Sequence, residues 1–125
     1  MRSALATLVL ALALPLGAAA CDSGDDRPPY WSFIQPAIIQ PSCSTARCHS
    51  KFTATQGLRF DSIRDSYTYL VTGDLVIPKD PEDSRLMWLL RGEETLRMPP
   101  DGPLPRKDID LIEAWILGGA LESEE

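Results

Sequence analysis

Between Cys43 and His49, seven residues reading CSTARCH hold two of the chain's three cysteines and its only histidine. No other stretch constrains the fold as tightly, because thiols and an imidazole set side by side are either bridged together or bound to something. Ser44, Thr45, Ala46 and Arg47 separate Cys43 from Cys48. In a regular α-helix an i, i+5 step rises about 7.5 Å and turns by roughly 140°, which sends the two side chains apart. The spacer must therefore loop if both thiols are to meet one partner. Ser44, Thr45 and Ala46 are small enough to allow that.

Four chemistries compete for the cluster. In covalent haem attachment two thiols add across the porphyrin vinyl groups, and the adjacent imidazole binds iron from the same side. The usual spacer is two residues rather than four, but the Cys48–His49 adjacency that places the iron ligand is intact. A Cys43–Cys48 disulfide is sterically possible and common in exported proteins, yet it leaves His49 without a role. A structural zinc site needs four Cys or His ligands, one more than this segment offers. A Cys–His nucleophile pair needs an orienting third group, and adjacent residues rarely face each other. Haem attachment uses all three side chains and is the leading reading.

An electron-carrying haem needs a second axial ligand. Met98 lies in LRMPPDGP, where Pro99 and Pro100 exclude helix and hold the backbone rigid. A Met opposite His stabilises reduced iron and raises the potential. Met87 competes for the role, but its place within an amphipathic helix reads as core packing.

Residues 1–20 read as an export signal: Arg2 supplies the positive start, and ALATLVLALALPLGAAA the small apolar run. LGAAAC, ending at Cys21, resembles a lipoprotein processing site, with Ala18 where such sites favour Leu. Ordinary cleavage after Ala20 is the alternative. Lipidation of Cys21 accounts for the odd cysteine and leaves Cys43 and Cys48 as a pair. The acyl chains would contribute about 0.8 kcal/mol per buried CH₂ towards anchoring. Removing the leader with Arg2 takes the formal net charge of −6 one unit lower. That balance argues against nucleic acid and against electrostatic binding to anionic lipid, and is compatible with a basic docking partner.

The chain, at 125 residues, is long enough for one domain. Residues 21–29 are expected to form the lipidated cysteine and a flexible, acidic, Pro-containing tether, residues 30–121 a cytochrome-sized domain, and residues 122–125 an acidic tail. Trp31, Ile34 and Ile38 fall at helical spacing, with Pro36 limiting or kinking the helix and Pro41 discouraging its continuation. DSIRDSYTYLVTG is predicted as a helix capped by Asp61 and closed near Gly73. DPEDSRLMWLLRG is predicted as a helix with Asp80 as cap, Pro81 in the first turn, a buried face of Leu86, Leu89 and Leu90, and Gly92 as stop. The last helix, Pro105 to Leu117, presents Ile109, Ile112, Trp115 and Ile116 along one face before Gly118–Gly119. Sustained strand-like alternation is absent. The expected class is all-α, a small helical domain with long loops.

Taken together, IIQPSCSTARCHS, GLRF, VIPKDPEDSRLMWLLRG and RMPPDGPLPRKDIDLIEAWILGGA resemble the c-type cytochrome domains of bacterial exported proteins and lipoproteins. The resemblance covers about Trp31 to Leu121. It implies a cytochrome c-like fold around one covalent haem c, with thioethers at Cys43 and Cys48, His49 as proximal iron ligand and Met98 as distal ligand. The four-residue spacer departs from the usual pattern, and Lys79 stands where the family usually has Gly. The expected function is single-electron transfer without substrate conversion, on the periplasmic side of a bacterial membrane, to a redox partner protein. A soluble periplasmic form is the alternative location. Trp31, Trp88 and Trp115 are expected to fill the core around the porphyrin, one indole N–H reaching a propionate. Two other functions remain: a haem-free interaction module closed by a Cys43–Cys48 disulfide, and a haem site without Met ligation, open to gas or peroxide.

Overall fold

The structure is a computed structural model that describes residues 24–93 and 96–124. Residues 1–20, read above as an export signal, and Cys21 lie outside the described residues. Four helical segments and no strand occur among the described residues, consistent with the all-α expectation.

Helix α1 covers residues 31–43 as an α-turn at Trp31–Ile34, a π-turn at Gln35–Ile39 and an α-turn at Gln40–Cys43. Pro36 is expected to limit or kink this helix and Pro41 to discourage its continuation; Pro36 does distort it, but the helix continues through both. In a regular α-helix Pro36 would press on the carbonyl of Ser32, and Pro41 on that of Ala37. The middle turn instead widens to i→i+5 bonding, with the Gln40 N–H donating to the Gln35 carbonyl, so the helix runs through both prolines. It therefore delivers Cys43 at its C-terminal end.

Helix α2 covers residues 63–72, an α-turn at Ile63–Tyr67 and a π-turn at Thr68–Thr72. Its cap is Ser62, not Asp61. Ser62 is extended (φ −125°, ψ 150°), and its hydroxyl accepts from the Asp65 N–H at 3.1 Å.

Helix α3, Arg85–Arg91, starts later than the sequence predicts. The Asp80 carboxylate does accept from the Asp83 N–H at 3.1 Å, but this closes a turn rather than starting a helix. The buried Ser84 hydroxyl then accepts from the Ile77 N–H at 2.8 Å and donates to the Asp80 carbonyl at 2.6 Å, holding that turn as a loop. Only beyond Ser84 is the backbone free to coil. Gly92 stops α3 in the left-handed region at φ 75°, as expected.

Helix α4, Arg106–Leu117, buries Ile109, Ile112, Trp115 and Ile116 as its periodicity predicts, and Leu111 as well. Trp115 stacks on Trp31 of α1 with ring centroids 4.7 Å apart, an offset pair worth about 0.5–1.5 kcal/mol beyond area burial. Residues after α4 return to α1: the Trp31 and Ser32 N–H groups donate to the carbonyls of Leu121 and Glu122 at 3.1 and 2.8 Å. These bonds satisfy helix-end donors that would otherwise lack partners.

The segment before α1 is partly docked. Arg27 forms a two-point ion pair with Asp25 and reaches the start of α4 through Asp108 at 2.5 Å and the Lys107 carbonyl at 3.1 Å. The tether is thus fixed to the domain from about Asp25 onward.

Candidate functional site

The end of α1 and the loop after it form a closed turn. The Cys43 carbonyl accepts from the His49 N–H at 3.0 Å, and the Cys48 N–H donates to the Thr45 carbonyl at 3.0 Å. Those two bonds return the four-residue spacer on itself, so Cys43 and Cys48 both line one cleft together with His49. Neither cysteine is bridged. Burial pushes the Cys43 thiol up to about 11, with the neighbouring Cys48 as the second cause.

Thr55, in a short 3₁₀ turn at Thr55–Gly57, holds the pair from outside. Its hydroxyl and N–H both donate to the Cys48 carbonyl, at 2.9 and 3.2 Å. Its own carbonyl lies 3.1 Å from Nδ1 of His49. An imidazole facing a carbonyl must present an N–H there, so in the neutral ring the proton sits on Nδ1 and Nε2 keeps its lone pair. Phe60 completes the cradle: its N–H donates to the His49 carbonyl at 2.7 Å, and its ring lies 4.9 Å from the imidazole. His49 is 9% exposed and has little freedom to turn.

Met98 also lines the cleft, with Pro99 and Pro100 beside it. The Met98 N–H donates to the Leu89 carbonyl at 3.0 Å, which fastens this proline-rich loop to α3. Met87 is fully buried in the core, in line with its packing role. Leu86, Leu89 and Leu90 of α3 and Leu70 of α2 supply apolar wall. The cleft measures about 730 Å³, within the roughly 300–1,000 Å³ of small-molecule and cofactor sites.

The residues fit a haem. Two thiols, an imidazole with its iron-binding nitrogen free, and a thioether all border one apolar space, and the donors match the ligand types of low-spin haem iron. A zinc site has no comparable ligand set: among the described residues no group of three or more His, Cys, Asp or Glu is placed to hold a metal ion.

The expectation for the tryptophans is corrected. None of the three borders the cleft. Their N–H groups are committed to the backbone: Trp31 to the Ile63 carbonyl at 3.1 Å, Trp115 to that of Leu121 at 2.8 Å, and Trp88 to that of Glu82. Trp31 and Trp115 build the core behind the site instead. Sequence reasoning missed Thr55 and Phe60 as supports for His49. Thr55 orients the ring with a backbone carbonyl, which no side-chain pattern reveals. Phe60 was visible only as the end of GLRF.

The fold and the cleft define a helical domain built to enclose a ligand between a Cys–His loop and a Met–Pro loop. Residues 46–102 match a family model described as Planctomycete cytochrome C. The match supports a cytochrome c-like domain with a haem-binding role. It takes in Cys48, His49 and Met98 and begins just after Cys43 and the first part of the spacer. No curated protein and no solved structure matches the chain.

Proposed function

We propose that this protein is an exported monohaem c-type cytochrome that carries single electrons and catalyses no substrate conversion. The observation that carries this reading is the bond between His49 Nδ1 and the Thr55 carbonyl, which reserves Nε2 on a ring bordering the cleft shared by Cys43, Cys48 and Met98. Haem bound there supplies a one-electron couple. The chain's own residues do the rest. Cys43 and Cys48 would hold the haem through thioethers, Thr55 and Phe60 fix the imidazole that would bind its iron, and Met98 would supply a second ligand. The leucines exclude water from the ligand faces.

Attachment through both cysteines is favoured by their shared position on the cleft wall. Membrane tethering through a lipid on Cys21, with the domain on the periplasmic side, is the reading that the LGAAAC sequence supports. Among the described residues no helix is long and apolar enough to cross a membrane. The electron passes to a redox partner protein.

The pyridine haemochrome spectrum of protein exported from cells with working cytochrome c maturation tests the reading. A covalent c-type spectrum is expected, with a band position corresponding to two thioethers. Its absence, with a control cytochrome matured normally, would leave a Cys43–Cys48 disulfide module in its place.

A further inference from the structure

Gln35 places an amide where packing alone calls for an aliphatic side chain. It is 1% exposed on α1, among the buried Ile34, Ile38 and Ile39. Leucine would fill such a position at less cost, because a buried amide is unfavourable unless it is hydrogen-bonded. The Gln35 Nε2 donates to the carbonyl of Phe60 at 2.9 Å. Phe60 lies outside every helix, and among the described residues no backbone N–H donates to that carbonyl. The amide thus supplies the partner that secondary structure does not.

Phe60 passes this constraint to the site. Its N–H donates to the His49 carbonyl at 2.7 Å, and its ring lies 4.9 Å from the imidazole with 41° between the planes. Both backbone groups of Phe60 are therefore committed, and the place of its ring follows from them. The Thr55 carbonyl fixes the imidazole at Nδ1, but a ring held at one atom can still rock about that contact. The Phe60 ring, which also borders the cleft, blocks that motion on one face. Gln35 further relates two parts of the site. It stands on the helix that ends at Cys43, and its partner stands on the loop that carries His49.

We propose that Gln35 is a positioning residue for iron ligation: acting through Phe60, its amide sets the plane of the His49 imidazole relative to Cys43. The proposal rests on the haem reading of the cleft and adds to it a residue that does not line the cleft. Partners one shell out from a metal-bound imidazole orient it, and a ligand whose plane is already held need not turn when the iron gains or loses an electron.

The test uses the matured, oxidised haem protein with its Gln35→Met and Gln35→Leu variants, which keep an apolar side chain of similar bulk and lose the donor. In low-spin ferric haem the spread of proton shifts among the ring methyl groups reports the orientation of the axial ligands. Both variants are expected to keep a His-ligated spectrum while the methyl resonances shift. Ser66→Ala is the control. It removes another buried bond to α1, the one from the Trp31 indole at 3.2 Å, in a pair that includes neither Phe60 nor His49. It should lower stability and leave the methyl pattern as in the parent. Phe60→Leu keeps both backbone bonds and removes the ring, so it should move the same resonances. In the Gln35→Met, Phe60→Leu double variant the change should fall short of the sum.

A parent-like methyl pattern in the Gln35 variants, or one that the control moves equally, would overturn the proposal and leave the amide a packing group. Fully additive changes in the double variant would do the same. Should both Gln35 variants fail to mature, Phe60→Leu decides: a moved pattern supports the relay, and a parent-like one overturns it. Failure of the haem reading looks different, as a missing covalent spectrum in the parent protein.

Discussion

The Nδ1 of His49 and the carbonyl oxygen of Thr55 lie 3.1 Å apart, and the Thr55 hydroxyl donates to the carbonyl of Cys48, the residue just before that histidine. One threonine thus holds both the imidazole and the backbone that carries it. Thr55→Val removes only the hydroxyl bond. It should cost about 1 kcal/mol, lowering Tm by roughly 4–8 °C, while the His-ligated haem spectrum persists. His49→Ala should abolish that spectrum. Thermal melts and absorption spectra of the two variants check the pair; a Thr55→Val protein without His ligation would show that the carbonyl alone cannot hold the ring.

Met98 and Met87 separate ligation from packing. Met98 is half-buried on the cleft, whereas Met87 lies wholly in the core. Met98→Ala should remove the Met-ligated spectrum and lower the reduction potential. Met87→Ala should leave the spectrum in place and cost about 2–5 kcal/mol through the cavity it opens. Potentiometry and chemical denaturation read the two effects independently.

Lys79 occupies a backbone position that suits glycine. Its φ is 70°, and its N–H donates to the Ile116 carbonyl at 2.7 Å, so the conformation is held by contact with α4. A side chain in the left-handed region costs about 1–2 kcal/mol, part of which glycine loses again to unfolded-state entropy. Lys79→Gly should therefore stabilise the protein by about 0.5–1 kcal/mol. An unchanged or lower denaturation midpoint would contradict the strain.

The Arg27 clasp should survive acid. The hydrogen bond from Arg27 is the largest cause holding the Asp25 carboxyl down at about 2, below its ordinary 3.8. A depressed folded-state value means that the contribution is present above the unfolded value and is lost as pH falls towards 2. Carboxyl chemical shifts of Asp25 should accordingly move near pH 2 and not near pH 4. Arg27→Ala should return them to the ordinary range and speed amide exchange over residues 25–27, with little change in global stability, as for exposed ion pairs generally.

What the sequence revealed depended on whether side chains or backbone carried the information. The buried face of α4 and the stop at Gly92 follow from periodicity and from the need for a positive φ, and both could be read directly. Cys43, Cys48, His49 and Met98 could be singled out because their chemistry is unusual, and the structure gathers them around one cleft. Helix starts were harder to read. At Asp61–Ser62 two capping residues stand side by side, and at Asp80 a sound cap closes a turn because Ser84 is drawn into a loop with Ile77. The π-turn through Pro36 escaped altogether, since proline alone argues for a break and only tertiary packing determines whether a helix widens to continue. The tryptophans were misplaced for a similar reason: aromatic size marks them as core, but not as core on the cleft side.

The bonds from Trp31 and Ser32 to the carbonyls of Leu121 and Glu122 fasten the start of α1 to the end of the domain. The first donors of α1 therefore find their partners only when the residues beyond α4 are in place, and Cys43 sits at the far end of that helix. Until then the CSTARCH segment belongs to a chain whose N-terminal helix is not yet docked. Once it is docked, the same segment is packed against Thr55 and Phe60, with Cys43 and Cys48 on the cleft wall.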